Sequence, residues 1–280
     1  MLGKRVFILL SLAALTLLHP ACNGGNGNNS NGKTVVNSNG GGAEAARKTV
    51  VLWWDVTRSL QEAEKDTGLD WAVKAISDLS PGTSYYLLPI HSETQRPTPL
   101  DQGKIPPLPS REVATLFRGE VKKRVLKNVK ELKDSIQADK GGDGYVQRDR
   151  RTCILNTINY SASLIGNRSG QAPPEIIYIS DMIEDCFHQS LRDGKGGYIQ
   201  LTQPDIDTQI GLAQSLHYDK GLKNMRVTVA VPTAAGGSAP YQRPDMEGLK
   251  KFWRVVFEQC GLNLENLHWT VGVPPASTAK

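Results

Sequence analysis

The sequence predicts an α/β domain built on a mostly parallel sheet with helices covering both faces. Three observations predict it. β-rich apolar stretches alternate with stretches of helical periodicity from residue 49 to residue 273, the pattern of strands joined by crossover helices. The first strand-like stretch, Thr49–Trp54, is continuously apolar after its threonine instead of alternating, as a strand buried on both faces must be. About 230 residues from Arg47 onward are available to fold, which suits one large core better than two small ones.

The first strand stops at Asp55. Ala72, Ala75, Ile76 and Leu79 then recur at helical spacing, and Ser80-Pro81-Gly82 ends that helix. Ser84–Ile90 reads as a second strand. Between Arg96 and Pro109 five prolines withhold backbone donors, so a strand there is short and lies on an edge. Glu112–Ile136 is a long helix with Val121, Val125, Val129, Leu132 and Ile136 on one face. Its other face is basic, with seven Lys/Arg against two Glu between Arg118 and Lys133. Such a face is either solvated or set against anionic lipid or an acidic partner.

The GGDG run at 141–144 is a loop, and Leu155, Ile158, Ala162 and Ile165 mark a helix opening near Thr152. Arg148, Arg150 and Arg151 lead into it. PEIIYISD, residues 174–181, is a strand that ends in an acid. Residues 186–204 form a Gly-rich loop or hairpin, Asp205–Leu216 a helix, and Arg226–Val231 a strand. Asp245–Cys260 is a helix with Leu249, Phe252, Trp253, Val256 and Cys260 on its apolar stripe, and Leu267–Val273 is a last strand. Trp53, Trp54 and Cys260 are expected in the core.

The N-terminal residues stand apart from the domain. Lys4 and Arg5 precede the apolar run Val6–Leu18, a charged region and a hydrophobic region too short to cross a bilayer as a helix. Residues 1–21 therefore read as a signal peptide. Ala21 directly before Cys22 resembles the lipobox of bacterial lipoproteins, although His19 stands where such boxes usually carry Leu. That resemblance implies lipidation of Cys22 and an extracytoplasmic chain tethered to the cell envelope; plain secretion is the alternative. Residues 23–42 contain seven Gly, seven Asn and two Ser, too little apolar surface to fold. Residues 22–46 are thus expected to be a flexible tether, whose 20-residue Gly/Asn stretch reaches roughly 25 Å. The folded domain follows over 47–275, with a disordered tail at 276–280. Without Lys4 and Arg5 the net charge falls from +5 to +3, no argument for a nucleic-acid partner.

Ligands of parallel sheets bind beyond the carboxyl ends of the strands, and three segments carry oxygens there. Asp55, Thr57 and Ser59 follow the first strand at alternate residues, Thr152 opens a helix, and Asp181 closes the strand IIYIS, with Glu184 and Asp185 shortly after. Taken singly, Asp55 is an ordinary turn residue and Thr152 an ordinary helix cap. Together, two carboxylates and three hydroxyls make a hard-oxygen set suited to Mg²⁺ or Mn²⁺. No His or Cys pair sits at zinc-ligand spacing. The acids are expected at an exposed strand edge, where losing one leaves the fold intact.

The motifs DVTRS, RRTCILNTI and YISDMIED, in that order, resemble the von Willebrand factor A (vWA) domain with its metal-ion-dependent adhesion site. That family pattern is Asp-x-Ser-x-Ser after the first strand, a later Thr, and an Asp ending the fourth strand. Thr57 replaces the first Ser, and Met182 stands where the family usually has Gly. The resemblance spans about residues 48–273 and implies a Rossmann-like three-layer fold with one antiparallel edge strand. It further implies a divalent ion exposed at the top of the sheet, held by Asp55, Thr57, Ser59, Thr152 and Asp181, with an open position for an acidic residue of a protein partner. Cys153 and Cys186 would then lie near the site, either bridged or as free thiols.

Three functions remain open on the sequence. The first is an envelope-tethered, non-enzymatic module that binds a protein through its metal ion. The second is a metal-dependent hydrolase of nuclease type, although two-metal phosphoryl chemistry draws on more carboxylates than the first strand supplies. The third is a metal-free scaffold in an envelope or secretion assembly. No serine elbow, phosphate loop or histidine base is apparent; His91, after the second strand, is a lone histidine.

Overall fold

The computed structural model describes residues 48–57, 59–91, 97–138, 152–166, 172–184, 221–233 and 246–275, the last three of 97–138 in backbone only. The signal peptide, Cys22, the tether, the 141–144 loop, Arg148, Arg150, Arg151, Cys186, the 186–204 segment, the 205–216 helix and the 276–280 tail lie outside the described residues. The chain divides into two units, Met1–Gly42 and Ala43–Lys280, and every described residue belongs to the second.

Six strands form one sheet: β1 (Thr49–Asp55), β2 (Ser84–Ile90), β3 (Asp101–Lys104), β4 (Glu175–Ile179), β5 (Arg226–Val231) and β6 (Leu267–Val271). Their order is β3-β2-β1-β4-β5-β6. All neighbours run parallel except the edge pair β2–β3. The antiparallel strand is short because Pro99 and Pro106 bracket it.

β1 lies at the centre and is buried along its whole length. The two-residue period of a strand divides its side chains between two cores. Val50, Leu52 and Trp54 join α1 (Glu62–Ser77) and α2 (Arg111–Ala138) on one face of the sheet. Val51 and Trp53 join α3 (Leu155–Ile165) and α4 (Met246–Gln259) on the other. The result is the three-layer α/β, Rossmann-like fold with one antiparallel edge strand that the sequence predicts.

Local chemistry explains where the helices start. At α1 the Gln61 N–H donates to Glu64 Oε2 (3.1 Å), and acids in the first turn favour the positive end of the helix dipole. At α2 the Ser110 hydroxyl accepts from Val113 N (3.3 Å), an ordinary cap. Two expected boundaries move. α3 opens at Leu155 and not at Thr152, because a carboxylate from the loop after β4 takes its first backbone donors, as described below. β6 ends at Val271, where Gly272 adopts a left-handed φ of 73° and turns the chain.

The basic face of α2 is partly internal. Arg118 bonds Ser77 Oγ (2.6 Å) and Asp78 Oδ1 (3.0 Å), and Lys122 bonds Asp70 (2.6 Å), bracing α2 on α1. Arg124 grips Asp101 of β3 through two bonds of 2.9 Å. Asp101 is buried and also accepts from Tyr85 Oη (2.9 Å). This bidentate pair is the strong one; the exposed pairs contribute little each.

Gly68 on α1 is where two layers meet most closely. A Cβ placed there would lie 2.8 Å from Trp54 Nε1 and 3.2 Å from Ile179 Cγ2. Gly68→Ala ordinarily gains about 1 kcal/mol in a helix. Here overpacking against two buried sheet residues outweighs that gain, and the expected outcome is a loss of about 1–3 kcal/mol, measured by urea unfolding.

Candidate functional site

Chain order reverses at β1: β2 and β3 lie to one side of it, β4 to β6 to the other. The crevice at such a reversal is where open α/β sheets bind their ligands. β1 delivers Asp55 there and β4 delivers Ser180 and Asp181.

Asp55 organises the site. Its Oδ1 accepts from Thr57 N (2.9 Å) and Thr57 Oγ1 (2.6 Å), which bends the chain sharply after the strand. Its Oδ2 accepts from Ser180 Oγ (2.9 Å) and Ser59 Oγ (3.3 Å). Thr57 Oγ1 also lies 2.8 Å from Ser59 Oγ and 2.8 Å from Thr152 Oγ1, and Thr152 Oγ1 is 3.4 Å from Ser59 Oγ. Asp55, Thr57, Ser59 and Thr152 therefore form one cluster. Asp181 follows on the β4 side, half-buried, its Oδ1 accepting from Ile183 N (3.1 Å).

The expectation of acids on an exposed edge is corrected for Asp55, which is 0% exposed. Thr57 at 1% and Ser59 at 7% are buried with it, because the turn after β1 folds back over the strand end and meets Thr152. Burial raises the Asp55 pKa above the ordinary carboxylate value, while hydrogen bonds from Thr57, Ser180 and Ser59 pull it down.

The donor set fits a small hard cation. Oxygens about 2.0–2.1 Å from an octahedral Mg²⁺ stand roughly 2.9 Å apart along each edge. The three hydroxyl separations of 2.8, 2.8 and 3.4 Å match such a face. Among the described residues no three His, Cys, Asp or Glu side chains group as a metal site. Without a cation the same hydroxyls satisfy one another. Thr57 and Ser59 donate to Asp55, and Thr57 accepts from Thr152.

One residue escaped the sequence reading, and for a second, Glu184, its role did. Ser180, 0% exposed, joins the strand ends by donating to Asp55 and also accepts from Met182 N (2.9 Å). Met182 has a left-handed φ of 62°, a strain of about 1–2 kcal/mol for a side chain. The Ser180 bond, one from Trp253 Nε1 to Met182 O (2.8 Å) and full burial of the Met182 side chain hold it there.

Glu184 is the second. It is 2% exposed, and its Oε2 accepts from Ile154 N (2.6 Å) and Leu155 N (2.8 Å), the start of α3. One carboxylate from the loop after β4 thus fixes the segment that presents Thr152. The negative charge at a helix N-terminus is physically ordinary. Its partner 29 or 30 residues away left no local signal.

Cys153, beside Thr152, is disulfide-bonded; position 186 lies outside the described residues. Cys260 is free and buried, and burial pushes its thiol up to about 12. His91 is buried at the end of β2.

Fold and site together define a class: a doubly wound α/β domain with an oxygen cluster at its topological switch point. No protein-family model matches the sequence, and no curated protein matches it. Several solved structures are similar. The SpRpn10 VWA domain shares 13% identity at a TM-score of 0.38, covering 84% of this chain and 92% of that one. The manganese-loaded TRAP protein of Plasmodium vivax shares 14% at 0.37, covering 81% and 69%. The pilus adhesin SpaC of Lactobacillus rhamnosus GG, in its open conformation, shares 11% at 0.39, covering 84% of this chain and 29% of the adhesin. At TM-scores this low, the fold class stands on strand order and register and not on these likenesses.

Proposed function

We propose that this domain is a protein-binding module that captures its partner through a divalent ion, Mg²⁺ or Mn²⁺. Asp55, Thr57, Ser59, Thr152 and Asp181 would hold the ion. Bound there, it would supply a positive, oxygen-seeking charge to which an acidic side chain of a partner can add. The observation that carries this reading is the triangle of three buried hydroxyls, spaced 2.8–3.4 Å apart, against the buried Asp55 carboxylate. Three of the five holders are neutral hydroxyls, so the site carries no excess negative charge to repel an anionic group. We read the N-terminal pattern as an export signal and a lipidation site at Cys22, which would tether the module to the bacterial cell envelope outside the cytoplasm, with plain secretion as the alternative.

Thr57 tests the proposal because its hydroxyl touches every other member of the cluster. Thr57→Ser keeps the oxygen and removes a methyl, so Mg²⁺ and Mn²⁺ affinity by titration calorimetry is expected to stay within about threefold. Thr57→Val keeps the shape and deletes the oxygen. Affinity should fall by at least about 100-fold, while stability drops about 1–2 kcal/mol from the bonds left unmade. Equal affinity in the two variants, or no binding by the parent chain, overturns the metal reading. A turnover lost in Asp55→Ala would instead favour the hydrolase.

A further inference from the structure

The outer face of α2 carries a feature that the metal site does not use. Leu116, Gly119, Lys123, Leu126, Lys130 and Lys133 follow one another at spacings of three and four, so they share one stripe along the helix. All six are exposed, Leu116 at 72% and Leu126 at 50%. Large apolar side chains this exposed are few among the described residues, and three of the five belong to α2. A Cβ at Gly119 would meet nothing within 4 Å. A helix-interior glycine costs about 1 kcal/mol relative to alanine, and among the described residues nothing packs against this one. The helix is therefore narrowest where its stripe is most open.

The charges divide in the same way. Arg118, Lys122 and Arg124 turn inward to Asp78, Asp70 and Asp101, and Lys127 lies 3.7 Å from Glu131 on its own helix. Lys123, Lys130 and Lys133 make no ion pair among the described residues, although the Lys133 charge, after the closer Lys65, is felt by Glu62 of α1. Of the acids on α2, Glu120 and Glu131 lie to one side of the stripe, while Glu112 and Asp134, four residues from Leu116 and Lys130, share its face.

We infer that this stripe is a docking face for an anionic lipid surface. Its charge is complementary to acidic headgroups, and its two leucines are spaced to enter the headgroup layer while the lysine stems lie along it. Composition favours lipid over a protein partner. Protein interfaces anchor on Trp, Tyr and Arg and are depleted in Lys, whereas the large side chains of this stripe are leucines and lysines, with no aromatic residue and no arginine among them. The inference does not rest on the metal reading or on lipidation of Cys22.

Co-sedimentation of the full chain with vesicles tests it. Phosphatidylcholine vesicles with and without one-third phosphatidylserine are compared at 50 and 300 mM NaCl. The apolar N-terminal run contributes equally to all variants, so the readout is the gain caused by phosphatidylserine. That gain is expected to be about 100-fold at low salt, roughly fivefold for each of three lysines, and to shrink at high salt. Lys123→Gln/Lys130→Gln/Lys133→Gln should abolish it with an unchanged melting temperature. Leu116→Ser/Leu126→Ser should lower binding to both vesicle types. No phosphatidylserine gain in the parent chain, or a gain that survives the triple change, overturns the inference.

Discussion

Replacing Asp55 with asparagine is expected to abolish divalent-ion binding while leaving the domain folded. The side chain keeps its shape, and its amide oxygen can still accept from Thr57 N and Thr57 Oγ1, now 2.9 and 2.6 Å from Oδ1. The amide NH₂ replaces Oδ2, so Ser59 and Ser180 must reverse and accept, which hydroxyls can do by rotation. Removing a buried charge also relieves the desolvation that raises the Asp55 pKa. These effects nearly cancel, and stability should change by no more than about 1 kcal/mol. The ion, however, loses the one formal charge in the hydroxyl cluster, and affinity should fall by 100-fold or more. Asp55→Ala differs. It strands one backbone N–H and three hydroxyls in a buried site and is expected to cost about 2–3 kcal/mol. Thermal melts and titration calorimetry on the two variants separate charge from packing.

The second large effect is expected at Glu184. Glu184→Ala leaves Ile154 N and Leu155 N without their acceptor at a buried helix start and should cost about 2 kcal/mol. Ion affinity should fall about tenfold, the scale seen when a group that orients a ligand is lost, because Thr152 is no longer fixed against Thr57. Glu184→Gln retains a carbonyl acceptor but loses the favourable charge at the helix N-terminus, so it should recover at least half of both losses. A merely structural role would lower the melting temperature and leave the affinity alone. Hydrogen exchange at Ile154 and Leu155 reports the cap directly.

Much of this architecture was legible in the sequence, and for physical reasons. β1, β2, β4 and β5 announce themselves because strands buried on both faces must be continuously apolar, and α2 and α4 because one face must pack. The five prolines around β3 make a short edge strand the available solution. At the site, the alternation of Asp55, Thr57 and Ser59 was readable because the Asx turn after β1 is local. What stayed hidden depends on contacts between distant segments. Burial of Asp55 follows from the turn meeting Thr152, and the Ser180 bond to Asp55 spans 125 residues. Glu184 read as one of several acids after β4, because a cap supplied from another loop leaves no trace beside the helix. The basic face of α2 looked uniform for the same reason. Asp70, Asp78 and Asp101, which divide it into inward and outward charges, lie earlier in the chain.

The central position of β1 also sets a timetable. β1 is the first strand made, and one of its edges pairs with β2, where Val50 lies opposite Tyr85. The other edge waits for β4, where Val50 lies opposite Glu175, 125 positions later. At synthesis rates of about 5–20 residues per second, that edge stays without its partner for roughly 6–25 s. During this interval the run Val50–Trp54 presents open backbone groups and five apolar side chains, the features that recruit a strand from another chain. An element buried along its whole length in the finished molecule is therefore vulnerable while the molecule is being made. The yield of this protein should depend on what shields those residues until β4 emerges.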